Sequence, residues 1–448
     1  MRPDDHFLAL LEGDETPMHI GSLLVLDVPE AEAAGAAELV RDALVERLPR
    51  TPLLRVLRRA PLGFDADVWV RPGHLDPDRH FVIHRRPDGA PWSDEDLEAF
   101  VADHVTRRLD LEQPPFLVHL LDPVENGRLA LYVKIHHCVT DGVGFQTILG
   151  LLSDEPATEV VVEPLGSEAE LPARHDWLRS SVAGFRVARL GRPAIDSARK
   201  AALEALKAPE LQRPPTPTCA LSGPTSTRRE YTTVTLPFAR LKDDAAALGA
   251  TLNDLFLALA GTAVRALLVE MDALPEQPIV TNSARSYRRP EHGLFGNRIV
   301  AIHPHVATHV ADPLDRLRAI QASMALERQR TGFDEALLNA PEVPFGAATR
   351  RRRFAGRRST GANVLPGNIS VSNVPGPAHA LHYAGLRQLA NHPAPLLGSG
   401  RAINFTARRN ADSFDVGVMV DPTKVTDVHH LADLFRAAYA TYQELAAR

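Results

Sequence analysis

Leu129-Ala130-Leu131-Tyr132-Val133-Lys134-Ile135-His136-His137-Cys138-Val139-Thr140-Asp141-Gly142 is the stretch on which the reading of this chain turns. Its first seven residues form a short apolar strand, and Val143 to Leu152 reads as the helix that follows. Side chains alternate between the two faces of a strand. Leu129, Leu131, Val133, Ile135 and His137 therefore share one face, and Tyr132, Lys134 and His136 the other. Two adjacent histidines cannot both serve one substrate unless the strand breaks between them. The expectation is that His137 faces an internal channel and His136 holds structure. An imidazole at a strand end is well poised to take a proton from an alcohol near neutral pH.

Two other chemistries fit the same residues. Two histidines and a carboxylate can ligate zinc or iron. Adjacent histidines on opposite faces make a poor chelate, however, and no second ligand cluster stands out, so no metal is expected. Cys138 could be a nucleophile, but a strand-end cysteine is more often a small buried filler.

Composition narrows the class. With 448 residues, 44% hydrophobic and 24% charged, the chain has the profile of a soluble protein with room for two domains. A formal charge of -6 argues against nucleic-acid binding. Two cysteines, Cys138 and Cys219, exclude a disulfide framework. The opening Met1-Arg2-Pro3-Asp4-Asp5-His6 lacks the features of a signal peptide. The best candidate for a membrane span, Leu255 to Val264, stops at Arg265. A cytoplasmic protein, peripheral to the inner membrane face or to lipid droplets, is expected.

Along the chain, mixed α/β content predicts sheets flanked by helices. Strands are expected at 21–27, 53–57 and 68–70, and helices at 31–48 and from Ser93, with Asp96 completing a capping box. Proline-rich, acidic sequence from Ser153 to Pro224 carries its own helices. Beyond it, Thr251-Leu252-Asn253-Asp254 opens an apolar helix through Met271. Strands are expected at 278–282, 299–305, 369–373 and 414–420, and helices at 314–328 and 428–446. The predicted division is an N-terminal domain at 1–155, a helical linker at 156–224 and a C-terminal domain at 225–448. Two halves of similar content suggest a pseudo-duplicated architecture.

His136-His137-Cys138-Val139-Thr140-Asp141-Gly142 matches the HHxxxDG signature of the chloramphenicol-acetyltransferase-like acyltransferases. Further segments, in order, resemble the bacterial wax ester synthase/diacylglycerol acyltransferases among them. They are Pro17-Met18-His19-Ile20-Gly21, Asn253-Asp254, Gly296-Asn297, and Ser372-Asn373-Val374-Pro375-Gly376-Pro377. Pro114-Pro115-Phe116 stands where that family usually has a PLW-type element.

The resemblance implies two chloramphenicol-acetyltransferase-like domains with the active-site channel between them. It implies that His137 is the general base in transfer of a long-chain acyl group from acyl-CoA. The acceptor would be diacylglycerol or a long-chain alcohol, with no acyl-enzyme and no cofactor beyond the CoA substrate. Asp141 would pair with an arginine, for which Arg285 is the candidate, and the Gly142 N–H would face the developing oxyanion. Asn253, Asp254, Asn297 and Asn373 would support the site, or else cap a helix and make a turn. Rival readings are acylation of a complex-lipid or polyketide hydroxyl, and a non-catalytic lipid or acyl-CoA binder. Two basic stretches, 174–207 and 350–358, could meet anionic lipid or, in the second, CoA phosphates. Each could equally be ordinary solvated surface.

Overall fold

The computed structural model describes residues 3–59, 67–155, 197, 200–201, 204–338, 366–398 and 400–448. Both basic stretches singled out above, apart from 197, 200–201 and 204–207, lie outside the described residues, as does most of the linker.

The N-terminal half contributes β1 (His19–Asp27), a small β2–β3 ribbon (Val56–Arg58 and Val68–Val70), β4 (Phe81–His84), β5 (Phe116–Val124) and β6 (Arg128–His136). The C-terminal half contributes β7 (Glu230–Pro237), β8 (Thr281–Ser286), β9 (Ile299–Ile302), β10 (Ile369–Val374), β11 (His382–Tyr383), β12 (Leu386–Ala394), β13 (Ile403–Asn410) and β14 (Ser413–Val420). They form two six-stranded sheets, ordered β11-β12-β1-β6-β5-β4 and β7-β14-β13-β10-β8-β9. Two mixed sheets of equal size bear out the α/β class and the two-part architecture.

The sheet order corrects the expected boundary at 225. β12, from the C-terminal half, pairs antiparallel with β1 in the N-terminal sheet, so 225–448 is not a separate spatial unit. Side chains secure the crossing: Asn391 N–H donates to Asp415 Oδ2 at 2.8 Å, and Gln388 Nε2 to Asn410 Oδ1 at 2.7 Å.

β6 is central and buried on both faces, as its near-continuous apolar run requires. Leu129, Leu131, Val133 and Ile135 enter the N-terminal core with Phe145, Ile148 and Leu149. Ala130 and Tyr132 enter a second cluster with Tyr231 and Met419 of the other half. In the C-terminal half the helix Leu252–Glu270 is long and apolar enough to cross a membrane, but 67% of that window is buried in the protein. It is a core helix. Thr251 and Asp254 cap it reciprocally, each backbone N–H donating to the other's side chain at 3.1 Å. Ser93 and Asp96 form the other expected capping box.

Several boundaries differ from expectation. The strand expected at 278–282 begins at Thr281, 299–305 ends at Ile302, 53–57 begins only at Val56, and the helix expected at 314–328 runs from Pro313 to Leu338.

Candidate active site

The strand β6 ends at His136, and its register partner across the sheet is His19. His136 is fully buried; its Nδ1 accepts from the Cys138 N–H at 3.1 Å, which puts the ring proton on Nε2. That nitrogen lies 3.4 Å from Glu12 Oε1, which is also 3.3 Å from His19 Nε2. Burial alone would raise the Glu12 carboxyl, but His136, His19 and Arg108 hold it below the usual carboxylate range. His19 accepts from the Leu109 N–H at 3.1 Å, and burial lowers its pKa to about 4. His136 is thus locked in a buried knot of side chains, away from the cavity.

His137 lies in the turn after the strand, half-buried, on the wall of a cavity of about 1100 Å³. Parity put the right histidine in the channel for an incomplete reason. Ile135 and Val133 on the same face point into the N-terminal core, and the turn beyond His136 swings His137 away from them. Its backbone is pinned on both sides, the N–H to Met18 O and the carbonyl by Asn297 Nδ2, each at 2.8 Å. Nδ1 is buried, and the residue lines the cavity. Burial lowers the imidazole pKa below 6.5, offset in part by backbone hydrogen bonds and the Asp141 charge. The lowered pKa favours the neutral ring, the form that can accept a proton.

Asp141 does not face the cavity. It N-caps the helix Gly142–Leu152, its Oδ1 accepting from Gly144 N–H at 2.9 Å. Its Oδ2 accepts from Arg298 N–H and Arg288 Nη2, both at 2.8 Å. The expected partner Arg285 is therefore corrected to Arg288. β8 begins three residues later than the sequence pattern implied, so Arg285 still lies in the strand. Arg288, past its end, turns onto Asp141 and also donates to the carbonyls of Gly293 and Gly296. Arg285 is exposed on the cavity wall instead.

Gly142 is the first residue of that helix and lines the cavity, where its first-turn N–H has no intrahelical acceptor. It faces Val374 of the Ser372–Pro377 segment: a Cβ there would lie 3.0 Å from Val374 Cγ2. Gly144 is obligatory for packing, since a Cβ would overlap Thr140 and the Leu294 carbonyl. Thr140 Oγ1 donates to that carbonyl at 2.7 Å, stitching the motif to the other half. Cys138 is fully buried, and burial pushes its thiol well above the ordinary range, so it is a filler.

The asparagines divide. Asn297 is buried beside His137, with both its N–H groups on Asp5 Oδ1 at 2.8 and 2.9 Å. Asn253 and Asn373 line the cavity. Asp254 is the helix cap already described, so its support of the site is indirect. Glu12, Asp5 and Arg288 were not singled out from sequence; nothing in their local pattern marks them, since their partners lie far along the chain. Among the described residues no group of histidine, cysteine or acidic side chains could hold a metal.

The cavity runs between the two halves. Ile20 and Gly21 of β1 line it on one side, and Ser370, Val371 and Ser372 of β10 on the other. Residues 1–256 match the family model for the wax ester synthase/diacylglycerol acyltransferase catalytic domain, and residues 295–443 match the model for the C-terminal domain of the same proteins. The chain belongs to the wax ester synthase/diacylglycerol acyltransferase family. A putative diacylglycerol O-acyltransferase of Mycobacterium tuberculosis (strain H37Rv) is 28% identical over 94% of each chain. The O-acyltransferase WSD of Acinetobacter baylyi is 27% identical over 94% of this chain and 91% of its own. The solved wax ester synthase/diacylglycerol acyltransferase from Marinobacter aquaeolei VT8 shares the fold, with a TM-score of 0.68 over 100% of both chains at 24% identity.

Proposed function

We propose that this family member transfers a long-chain acyl group from acyl-CoA to the hydroxyl of diacylglycerol or a long-chain alcohol, with His137 as general base. The observation that carries the reading is the His137 imidazole on the wall of a cavity between the halves, its pKa lowered by burial toward the neutral, proton-accepting form. At about 1100 Å³ the cavity exceeds the roughly 300–1,000 Å³ of ordinary small-ligand pockets, so it suits two bulky substrates meeting at one base.

His137 Nε2 takes the acceptor O–H proton as that oxygen attacks the thioester carbonyl. The carbonyl oxygen becomes an oxyanion facing the Gly142 N–H at the positive end of its helix. Collapse breaks the C–S bond, the imidazolium protonates the leaving thiolate, and ester and free CoA result. No acyl-enzyme and no cofactor enter, because the thioester is already activated.

Water-insoluble substrates favour work at a lipid surface, so peripheral association with the inner membrane face or a lipid droplet is part of the proposal. Sedimentation with anionic and neutral liposomes tests it, and equal binding to both removes the electrostatic contribution. The reaction is tested by thiol release from palmitoyl-CoA with and without hexadecanol or diolein, with the product ester identified. Release that ignores both acceptors contradicts the reading and leaves a hydrolase or a binder.

A further inference from the structure

Arg401 is a buried cation with no neutralising group among the described residues. It follows a tight turn between β12 and β13, held by its N–H on the Gly398 carbonyl at 3.1 Å. It is 4% exposed, and its Nε and Nη1 are buried without a hydrogen-bond partner. No ion pair reaches it among the described residues. No carboxylate charge acts on it: desolvation by burial is the one influence on its titration. Around the turn other polar groups satisfy one another: Asn404 Nδ2 donates to the Leu396 carbonyl at 2.6 Å and Thr406 Oγ1 to Asn404 Oδ1 at 3.0 Å. Burial without an opposing charge lowers even this guanidinium to about 10.

A buried charge without a partner is strongly unfavourable and persists where something else needs it. Arg401 lies on the wall of the same cavity as His137, beside Pro395, Leu396 and Met324. Gly398 packs against the guanidinium so closely that a Cβ there would overlap it and displace the fork. Arg408, also on that wall, differs: its Nη1 donates to Ser22 and to Asn391, the latter at 2.8 Å, and it pins the two halves together.

We propose that Arg401 is an oxyanion-binding residue inside the channel, closing on a carboxylate or phosphate of a bound substrate through its planar fork of N–H donors. A guanidinium matches either group bidentately. Given the acyl-transfer reading, on which this source assignment rests, the anion is either a phosphate of CoA or a carboxylate carried by a second, acidic class of acceptor. Neutral diacylglycerol and alcohols offer no such group, so the site gives the channel a selectivity that the motif around His137 does not contain.

The test is equilibrium titration of the full chain with CoA and with decanoate, using decanol as the uncharged match, for wild type, Arg401→Met and Arg401→Lys. Affinity for at least one anion should fall tenfold or more in Arg401→Met and recover in part in Arg401→Lys, while decanol stays within twofold. A loss for CoA assigns the donor phosphates, and a loss for decanoate assigns a carboxylate. Arg401→Met should melt at or above the wild-type temperature, because it removes an unpaired buried charge. Gly398→Ala, which keeps the charge but displaces the fork, should weaken the same anion. Wild-type affinity for both anions in Arg401→Met overturns the proposal. If Arg401→Met does not fold, unchanged anion binding in Gly398→Ala overturns it. Binding is read without turnover, so failure of acceptor-dependent thiol release would count against the acyl-transfer reading and not against the anion site.

Discussion

The two adjacent histidines and the acid four residues on do three different jobs. His136 is held by Cys138 N–H and Glu12, Asp141 caps a helix and binds Arg288, and only His137 reaches the cavity. That division was legible in the motif, but the partner of Asp141 was not. Choosing Arg285 required the start of β8, and a boundary error of three residues moved the choice off Arg288. Because burial lowers the His137 pKa, the base stays unprotonated to lower pH than a free imidazole would. The acid limb of kcat/KM should therefore fall with an apparent pKa below 6.5, read from a pH series of thiol release. A limb above 6.5 would mean that the environment around the ring favours the imidazolium.

At the scale of elements, Asp141 and Arg288 join the start of the helix Gly142–Leu152 to the loop after β8. Side-chain exposures of 7% for Arg288 and 1% for Asp141 make this a buried pair. Removing one partner of such a pair typically costs about 3–5 kcal/mol, because the other charge is left uncompensated. Arg288→Met should lose about that much in urea unfolding, and Arg288→Met with Asp141→Asn should lose less than the two single losses summed. Additive losses would show that the two side chains do not interact. Among the elements that sequence missed, two are polar. β12, Leu-Arg-Gln-Leu-Ala-Asn-His-Pro-Ala, and β13, Ile-Asn-Phe-Thr-Ala-Arg-Arg-Asn, lack apolar alternation. Their polar side chains face the other sheet and the cavity: Asn391 and Arg408 bond each other, and Asn404 lines the cavity. Tertiary partners there replace the pattern that marks an ordinary strand.

For the whole molecule, the strand crossing from one half into the other sheet converts two similar units into one body. Sheet order is invisible to local periodicity, so the sequence suggested two adjoining domains and could not show that β12 lies beside β1. The Tyr132, Tyr231 and Met419 cluster adds an apolar seam across the join. Thermal unfolding should then be one cooperative transition, with far-UV and near-UV signals coincident. Two separated transitions would mean that each half holds together alone. The same architecture forms the cavity, since neither half encloses it without the other. The central claim, that a single imidazole in this shared cavity drives acyl transfer, is tested most directly by acceptor-dependent thiol release from palmitoyl-CoA in His137→Ala. A loss of about 10²–10⁴-fold with a wild-type melting temperature is predicted; unchanged turnover in a folded His137→Ala protein would contradict it.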